Sequence, residues 1–515
     1  MTSVASAAPA NEQEVAQLAQ ENLSLAREIT SLKSALINAE QLIGKLKFEI
    51  AQLTRRQFGS SGEGLAQLLL WQPGAEPENA PPALVGTILV PTHERAKPIR
   101  RPLPDELPRV VIEIDLPEEQ KHCPCCGGQR HVIGEEVSEK LDIEPARMTV
   151  QQYRRKIYGC RPCDGQVETA SMPPQIIEQG MATAGLLAHV AVAKFCDHLP
   201  LARQERIFAR HGIEIPRSTL TDWMLATGQA LDAPVQRLGE LIKSKDIIGS
   251  DDTTMPWQNE RKGKTTTARL WAWRAEVEPG RALVLYQFTP DRSGKHPRQF
   301  LRGWKGYLQA DAYSGYDEVF DSGEIIEVGC FAHCRRKFFE VAKAARTRGF
   351  AHEMVERIGE LYRVEREAKD QHLDAVGRKL LRQEKAKPVL DEILKRLEEH
   401  LPKILPKSPL GQAIGYALNQ WEALNRYLED GRLQIDNNAL EQIMRPVALG
   451  RKNFLFVASE RGGQAVANFY SLIESAKACG LNPYVYLRSL LTRLPSTKMR
   501  DIDTLLPHCW QPDTS

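Results

Sequence analysis

Three short stretches, each carrying acids at the edge of a regular element, constrain this chain more than any other feature. Gly306-Tyr307-Leu308-Gln309-Ala310-Asp311 reads as a short strand over Tyr307 to Ala310, with Ser314-Gly315 as the following turn, so Asp311 falls at the strand's end. Asp246 to Thr254 is a strand-like entry with two acids, Asp251 and Asp252, at its exit. Gln434 to Glu441 opens a helix and carries Glu441 in its second turn. A lone carboxylate does nothing for a core, because an unpaired buried charge costs several kcal/mol. One reading of Asp311 is a turn-forming residue; the other is a metal ligand. Strand acid, strand acid, helix acid is the order expected of a triad binding two divalent cations for phosphoryl transfer.

The chain has 515 residues and is 42% hydrophobic, too long for one ordinary domain and apolar enough for several cores. Its net charge of +2 gives no global pull toward nucleic acid, so any DNA contact must come from local basic clusters. No early apolar run is long enough for a signal peptide or membrane span, and the expected location is the cytoplasm, at the nucleoid. The 10 cysteines are then expected mostly reduced, and C-x-x-C pairs point to metal rather than disulfides.

Residues 1–12 read as a disordered tail. Over 13–54, Val15, Asn22, Ile29, Leu36, Ile43 and Ile50 alternate with Leu18, Leu25, Leu32, Ala39, Leu46 and Leu53. That is a coiled-coil seam, expected to make a homodimer or higher oligomer, with Asn22 fixing register. Residues 55–108 form a basic, Pro-rich linker. Over 109–175, Cys123 and Cys126 precede Cys160 and Cys163, two knuckles of a four-cysteine ribbon holding a structural Zn²⁺; Cys125 is a spare neighbour. The second knuckle follows a strand-like Thr149 to Tyr158. Residues 180–232 read as a helix-turn-helix-like region, its second helix opened by Ser or Thr, with Arg217, Ser218, Thr219 and Thr221 as groove-facing DNA-binding candidates.

Ile247 to Asp252, Ala268 to Val277 and Ala282 to Phe288 read as successive strands, then a short helix, the Asp311 strand, and a fifth strand over Ile325 to Gly329 feeding a helix at Phe331. This describes a mixed five-stranded sheet with flanking helices, of ribonuclease-H type, over 240–340 and 430–482. Residues 341–429 read as a charge-rich, solvated helical insertion, and 483–515 as a C-terminal helical tail. The fold class is thus multidomain α/β.

The chain resembles the insertion sequence 66 family of bacterial transposases nearly end to end. The stretches that carry the resemblance are Arg55 to Ser60, the four-cysteine ribbon, Ser250 to Thr253, Asp291 to Gly294, Gly306 to Tyr316, Cys330 to Phe338, Asp436 to Asn453 and Ser459 to Gly463. It implies a DDE transposase with a ribonuclease-H-like core, whose catalytic triad and Mg²⁺ ligands fall on Asp251, Asp311 and Glu441. By the same resemblance Asp251 bridges two Mg²⁺ (or Mn²⁺) ions, with Asp311 on one and Glu441 on the other. The family usually has Glu where Asp252 stands, and commonly Arg where Gln442 stands. The implied partners are DNA, as terminal inverted repeats and target, and small accessory transposition proteins.

Phosphodiester cleavage needs an activated oxygen nucleophile and a stabilised leaving oxygen, and hard cations on carboxylates supply both. Arg335, Arg336, Lys337, Arg445, Arg451 and Lys452 are the phosphate-binding candidates around the triad. Glu441 and Arg445 have the spacing of a helical ion pair, and His333 reads either as a phosphate-orienting group or as a satisfied polar residue. Two other classes fit parts of the chain: a DNA-binding regulator on an inactive scaffold, and a ribonuclease-H-like nuclease indifferent to terminal sequence.

Overall fold

The computed structural model describes residues 148–512, apart from 159–167, 259–264, 346 and 455, together with scattered positions between 20 and 33. The tail, linker, most of the coiled coil and all four zinc-ligand candidates lie outside the described residues. Those described between 20 and 33 are helical, with Leu25 and Ile29 exposed. The chain divides into two units, one of which spans Pro77–Ser171. Its described part is a minimal hairpin, β1 (Ile157–Tyr158) antiparallel to β2 (Glu168–Thr169). Of the strand expected over Thr149 to Tyr158, only these last two residues are strand; before them, among the described residues, the Lys156 carbonyl accepts from the Ala170 N–H.

In the other unit, the residues from Met172 onward open with four helices: α1 (Ala184–Phe195), α2 (Leu201–Arg210), α3 (Arg217–Ala230) and α4 (Asp232–Lys243). The Thr183 hydroxyl caps α1 by accepting from the Leu186 N–H. The α2–α3 connection has Gly212 in the left-handed region at φ +77°. The residue before α3 is Pro216, with no side-chain cap; Ser218 and Thr219 lie inside its first turn rather than opening it. Pro216 presets the helical entry that a hydroxyl cap was expected to provide.

The sheet follows. Its strands are β3 (Ile247–Gln258), β4 (Thr265–Glu278), β5 (Arg281–Thr289), β6 (Gly306–Gln309) and β7 (Ile325–Val328), ordered β5-β4-β3-β6-β7. The first three are antiparallel neighbours, whereas β6 and β7 run parallel to β3. Short helices α5 (Lys295–Phe300) and α6 (Asp317–Phe320) flank β6, and Ser314–Tyr316 is a 3₁₀ turn. β3 runs six residues past Asp252 to Gln258. Pro256 is tolerated there because no ladder bond needs its N–H: β6 pairs only with Ile247 to Gly249, and the Val457 bridge beyond it uses the Pro256 carbonyl and the Gln258 N–H. Trp271, Trp273, Leu283 and Tyr286 are fully buried and form the sheet's core.

α7 (Phe331–Ala344) leads into α8 (Phe350–Asp370), α9 (Ala375–Leu381), α10 (Lys387–His400), α11 (Pro409–Asn419) and α12 (Trp421–Asn425). These helices are not merely solvated. Met354, Ile358, Leu361, Leu390 and Ile414 share one buried cluster with Val328 and Phe331, so the insertion has a core continuous with the edge of the sheet. A π-helical turn, Arg382–Ala386, joins α9 to α10. It carries Arg382 fully inside, where the guanidinium pairs with Glu365 at 2.7 Å and donates to the carbonyls of Tyr427, Asp430 and Leu433.

The chain returns through α13 (Asn438–Phe454), α14 (Glu460–Ala478) and α15 (Pro483–Arg493). α14 blocks the β5 edge. Ser475 Oγ accepts from the Val284 N–H at 2.8 Å and donates to its carbonyl, and Ser471 Oγ accepts from the Tyr286 N–H. Phe195 of α1 stacks on Phe469 of α14, so the first helices and the last share a core. Among the described residues, no helix is long and apolar enough to cross a membrane.

Arg382→Met leaves Glu365 half-buried without its partner and the carbonyls of Tyr427 and Leu433 without the donor described for them. It should cost about 3–5 kcal/mol, read as a lower urea midpoint, and replacing Glu365 with Leu as well should recover part of the loss.

Candidate active site

Asp251 and Asp252 are neighbours on β3, so their side chains leave on opposite faces of the sheet. The Asp252 side chain is 1% exposed and both its oxygens are paired: Oδ2 accepts from Arg269 Nη1 at 2.9 Å, and Oδ1 accepts from Arg292 Nε at 2.9 Å. Asp251 faces α13. Its only described hydrogen bond is local, Oδ1 accepting from the Asp252 N–H at 2.7 Å.

The third acid arrives by docking of α13 on β3. Gly249 lies where a side chain would collide with Leu440 of α13, so its missing Cβ permits the close approach. The buried Asn437 side chain donates to the Ser250 carbonyl at 3.1 Å, joining the start of α13 to the residue before Asp251. At the other end of the helix, Arg451 Nη1 donates to the Thr254 carbonyl at 2.6 Å. Pro446 interrupts the helical ladder, and nearby the Tyr286 hydroxyl donates to the Ile443 carbonyl and Tyr470 to that of Pro446. Because the helix begins at Asn438, Glu441 is in the first turn, not the second as expected. There the unpaired backbone N–H groups favour a carboxylate.

Asp311 follows β6, whose last residue, Gln309, donates through its side chain to the Gln434 carbonyl just upstream of α13. The Phe331 N–H donates to the Ile435 carbonyl and the Asn437 N–H to Cys330 Sγ, which ties the start of α7 to the same segment. Two α7 side chains then flank Glu441: Arg336 Nη2 at 3.3 Å from Oε2, and His333 Nε2 at 3.6 Å from Oε1. The Glu441–Arg445 helical pair suggested by spacing is absent from the described ion pairs; Arg336 has Glu441 instead, and Arg445 is exposed.

The electrostatics are those of massed negative charge. Burial, then Asp311, and less strongly Asp252 and Glu441, push the Asp251 carboxyl up to about 8 against the opposing Asp252 N–H. Burial raises Asp311 as well, opposed by Arg292 and His333. Burial also lifts Asp436 to about 6 and lowers His333. Among the described residues no three such side chains already stand as a metal-binding group. The donor chemistry nevertheless fits a hard cation: the oxygens are carboxylate, and the buried Glu441 Oε1 has no hydrogen-bond partner.

The remaining candidates fall in different places. Arg217, Ser218 and Thr221 are exposed and Thr219 half-buried on α3; the Thr221 hydroxyl donates back to the Arg217 carbonyl. Arg335 is half-buried, its guanidinium pK lowered by desolvation. Lys337 lies over the Tyr416 ring at 4.5 Å, and Lys452 is exposed. Arg451 is half-buried and donates to Thr254 of β3. Four features escaped the sequence reading: Asn437, Arg292, the engagement of Asp252, and an arginine stripe on α2. Arg203, Arg206 and Arg210 are exposed on one face of that helix with no acidic partner among the described residues. Their helical spacing was the available signal.

Comparison with known proteins agrees along most of the chain. Residues 179–465 match the Transposase IS66 family, 471–508 the IS66 C-terminal element, and 120–164 the zinc-finger binding domain of transposase IS66. Residues 45–112 match a family described as Transposase C of IS166 homeodomain. Similar proteins include three uncharacterized proteins of Sinorhizobium fredii. The chain is 37% identical to y4jD over 423 residues, covering 80% of this chain and 82% of the relative. It is 36% identical to y4qI over 436 residues (81% and 79%) and 33% identical to y4hP over 496 (90% and 88%). With a family match over more than half its length and relatives along most of it, the chain belongs to the IS66 family of transposases.

Proposed function

We propose that the chain cleaves DNA and transfers strands at the ends of an insertion sequence, using divalent cations on a ribonuclease-H-like core. The observation that carries this reading is the docking of α13 on β3, which brings Glu441 into the electrostatic neighbourhood of Asp251, the acid that Asp311 also acts on. The strand order, with three antiparallel strands followed by two parallel ones, supports the core assignment over 240–340 and 430–482.

In this reading Asp251, Asp311 and Glu441 hold Mg²⁺ or Mn²⁺. The bound cations supply an activated attacking oxygen and a stabilised leaving oxygen. The chain's own groups set the stage. Asn437 fixes the backbone beside Asp251, while Arg336 and His333 orient Glu441 from α7. Arg445, Lys337 and Lys452 offer exposed charge to the phosphate backbone, which positions DNA without reading it. Cys123, Cys126, Cys160 and Cys163 hold a structural Zn²⁺ in a ribbon over 109–175, and the seam over 13–54 makes the protein a dimer or larger.

The α2–α3 pair supplies a second DNA surface. Arg203, Arg206 and Arg210 face solvent beside Arg217, and such a stripe holds phosphates while Ser218 and Thr221 stand nearer the groove.

Incubation of the protein with DNA bearing the element's ends and Mg²⁺ should yield cleaved and joined products. Asp311→Asn should reduce both to background while end binding persists; full activity in that variant would refute the assignment. Binding that survives with no nicking under any cation would make the protein a DNA-binding regulator instead. Replacing Arg203, Arg206 and Arg210 together by Ala should flatten the salt dependence of DNA binding by about three in log–log slope. An unchanged slope would remove α2 from the interface.

A further inference from the structure

The acid next to Asp251 has both oxygens occupied, and that occupancy leads to Arg292. Asp252 Oδ1 accepts from Arg292 Nε at 2.9 Å and lies 2.8 Å from Nη2, while Oδ2 takes Arg269. The same Arg292 Nη2 lies 3.6 Å from Asp311 Oδ2. The guanidinium is held from other sides too. Its carbon sits 3.8 Å from the centre of the Tyr313 ring, and the Tyr313 hydroxyl donates to the Arg292 carbonyl. The loop itself is pressed against the one after β6: a Cβ on Gly294 would fall 2.5 Å from the Gly315 carbonyl oxygen. Arg292 therefore cannot swing away from Asp311 without breaking its fork on Asp252 and its stack on Tyr313.

We propose that Arg292 is a positioning residue for Asp311, a resident counter-charge that orients this carboxylate and competes with divalent cations for it. Asp252 is its anchor, not a metal ligand. A nearly unexposed carboxylate already held by two guanidiniums is poorly placed to take an ion, whereas a fixed cation beside a half-buried carboxylate opposes any second cation there. A purely structural fastener could have closed these loops without reaching Asp311. The inference rests on the metal-site reading given above, and the test separates the two.

The full-length protein, with zinc retained, is titrated with Mn²⁺, and free Mn²⁺ is read by its paramagnetic resonance signal; cleavage of end-bearing DNA is followed in parallel. Arg292→Gln removes the charge and should tighten Mn²⁺ binding on the order of tenfold, yet slow cleavage at saturating Mn²⁺ because Asp311 loses its orientation. A merely structural residue would weaken both together, and unchanged or weaker Mn²⁺ binding would overturn the proposal. Arg292→Lys keeps the charge without the fork and tests the same point should the glutamine variant not fold. It should bind Mn²⁺ as the wild type does and cleave slowly; a wild-type cleavage rate would overturn the positioning role. If the wild type takes up no Mn²⁺ that Asp311→Asn abolishes, the metal-site reading fails, and this inference with it.

Discussion

One helix laid against one strand makes a single place out of three distant stretches. α13 meets β3 through the open space at Gly249, the Asn437 amide on the Ser250 carbonyl, and Arg451 on the Thr254 carbonyl. Each contact is modest: a net hydrogen bond contributes about 1 kcal/mol. Together they fix both ends of the helix, and the first turn, where Glu441 sits, has little freedom left. The hydroxyls of Tyr286 and Tyr470 serve the middle, around the proline.

The cost of the arrangement is charge. Asp251, Asp311, Glu441 and Asp436 crowd one region, and burial with mutual repulsion lifts three of them. Cationic side chains answer that field from separate elements, Arg336 from α7 and Arg292 from the loop after β5, with the His333 imidazole beside Glu441. Burial and the neighbouring acids push the Asp251 carboxyl up to about 8, which disfavours its charged form until something positive approaches. Such strongly shifted carboxyls gather at sites that do chemistry more often than in ordinary cores.

Much of this was readable from the residues. The strand-like entry at Ile247-Ile248, the apolar run from Ala282 and the short strand before Asp311 place the sheet nearly where it lies. The reach of β3 past Pro256 was not readable, because a proline ordinarily ends a strand unless no ladder bond needs its N–H, and that depends on the short β6 and on the distant Val457, which bonds only the Pro256 carbonyl and the Gln258 N–H. The different fates of Asp251 and Asp252 depend on which face each presents, which local pattern alone does not decide. The insertion looked solvated because its helices are charge-rich on the outside; the cluster of Met354, Leu361 and Leu390 becomes visible only once they are folded on Phe331. The cysteine knuckles and most of the heptads remain expectations, since they lie outside the described residues.

The π-helical turn that buries Arg382 has a consequence for how this chain can be altered. Its guanidinium gathers the carbonyls of Tyr427, Asp430 and Leu433, immediately before the segment that carries Asn437 and Glu441. The helices of 350–425 therefore act as a jig for the returning chain, not as a detachable ornament. Excising them for a short linker would preserve every acid and still misdeliver the last one, whereas trimming the outward-facing surface of the same helices should be harmless. Tags and fusion partners belong on that outer surface, away from the joint between α9 and α10.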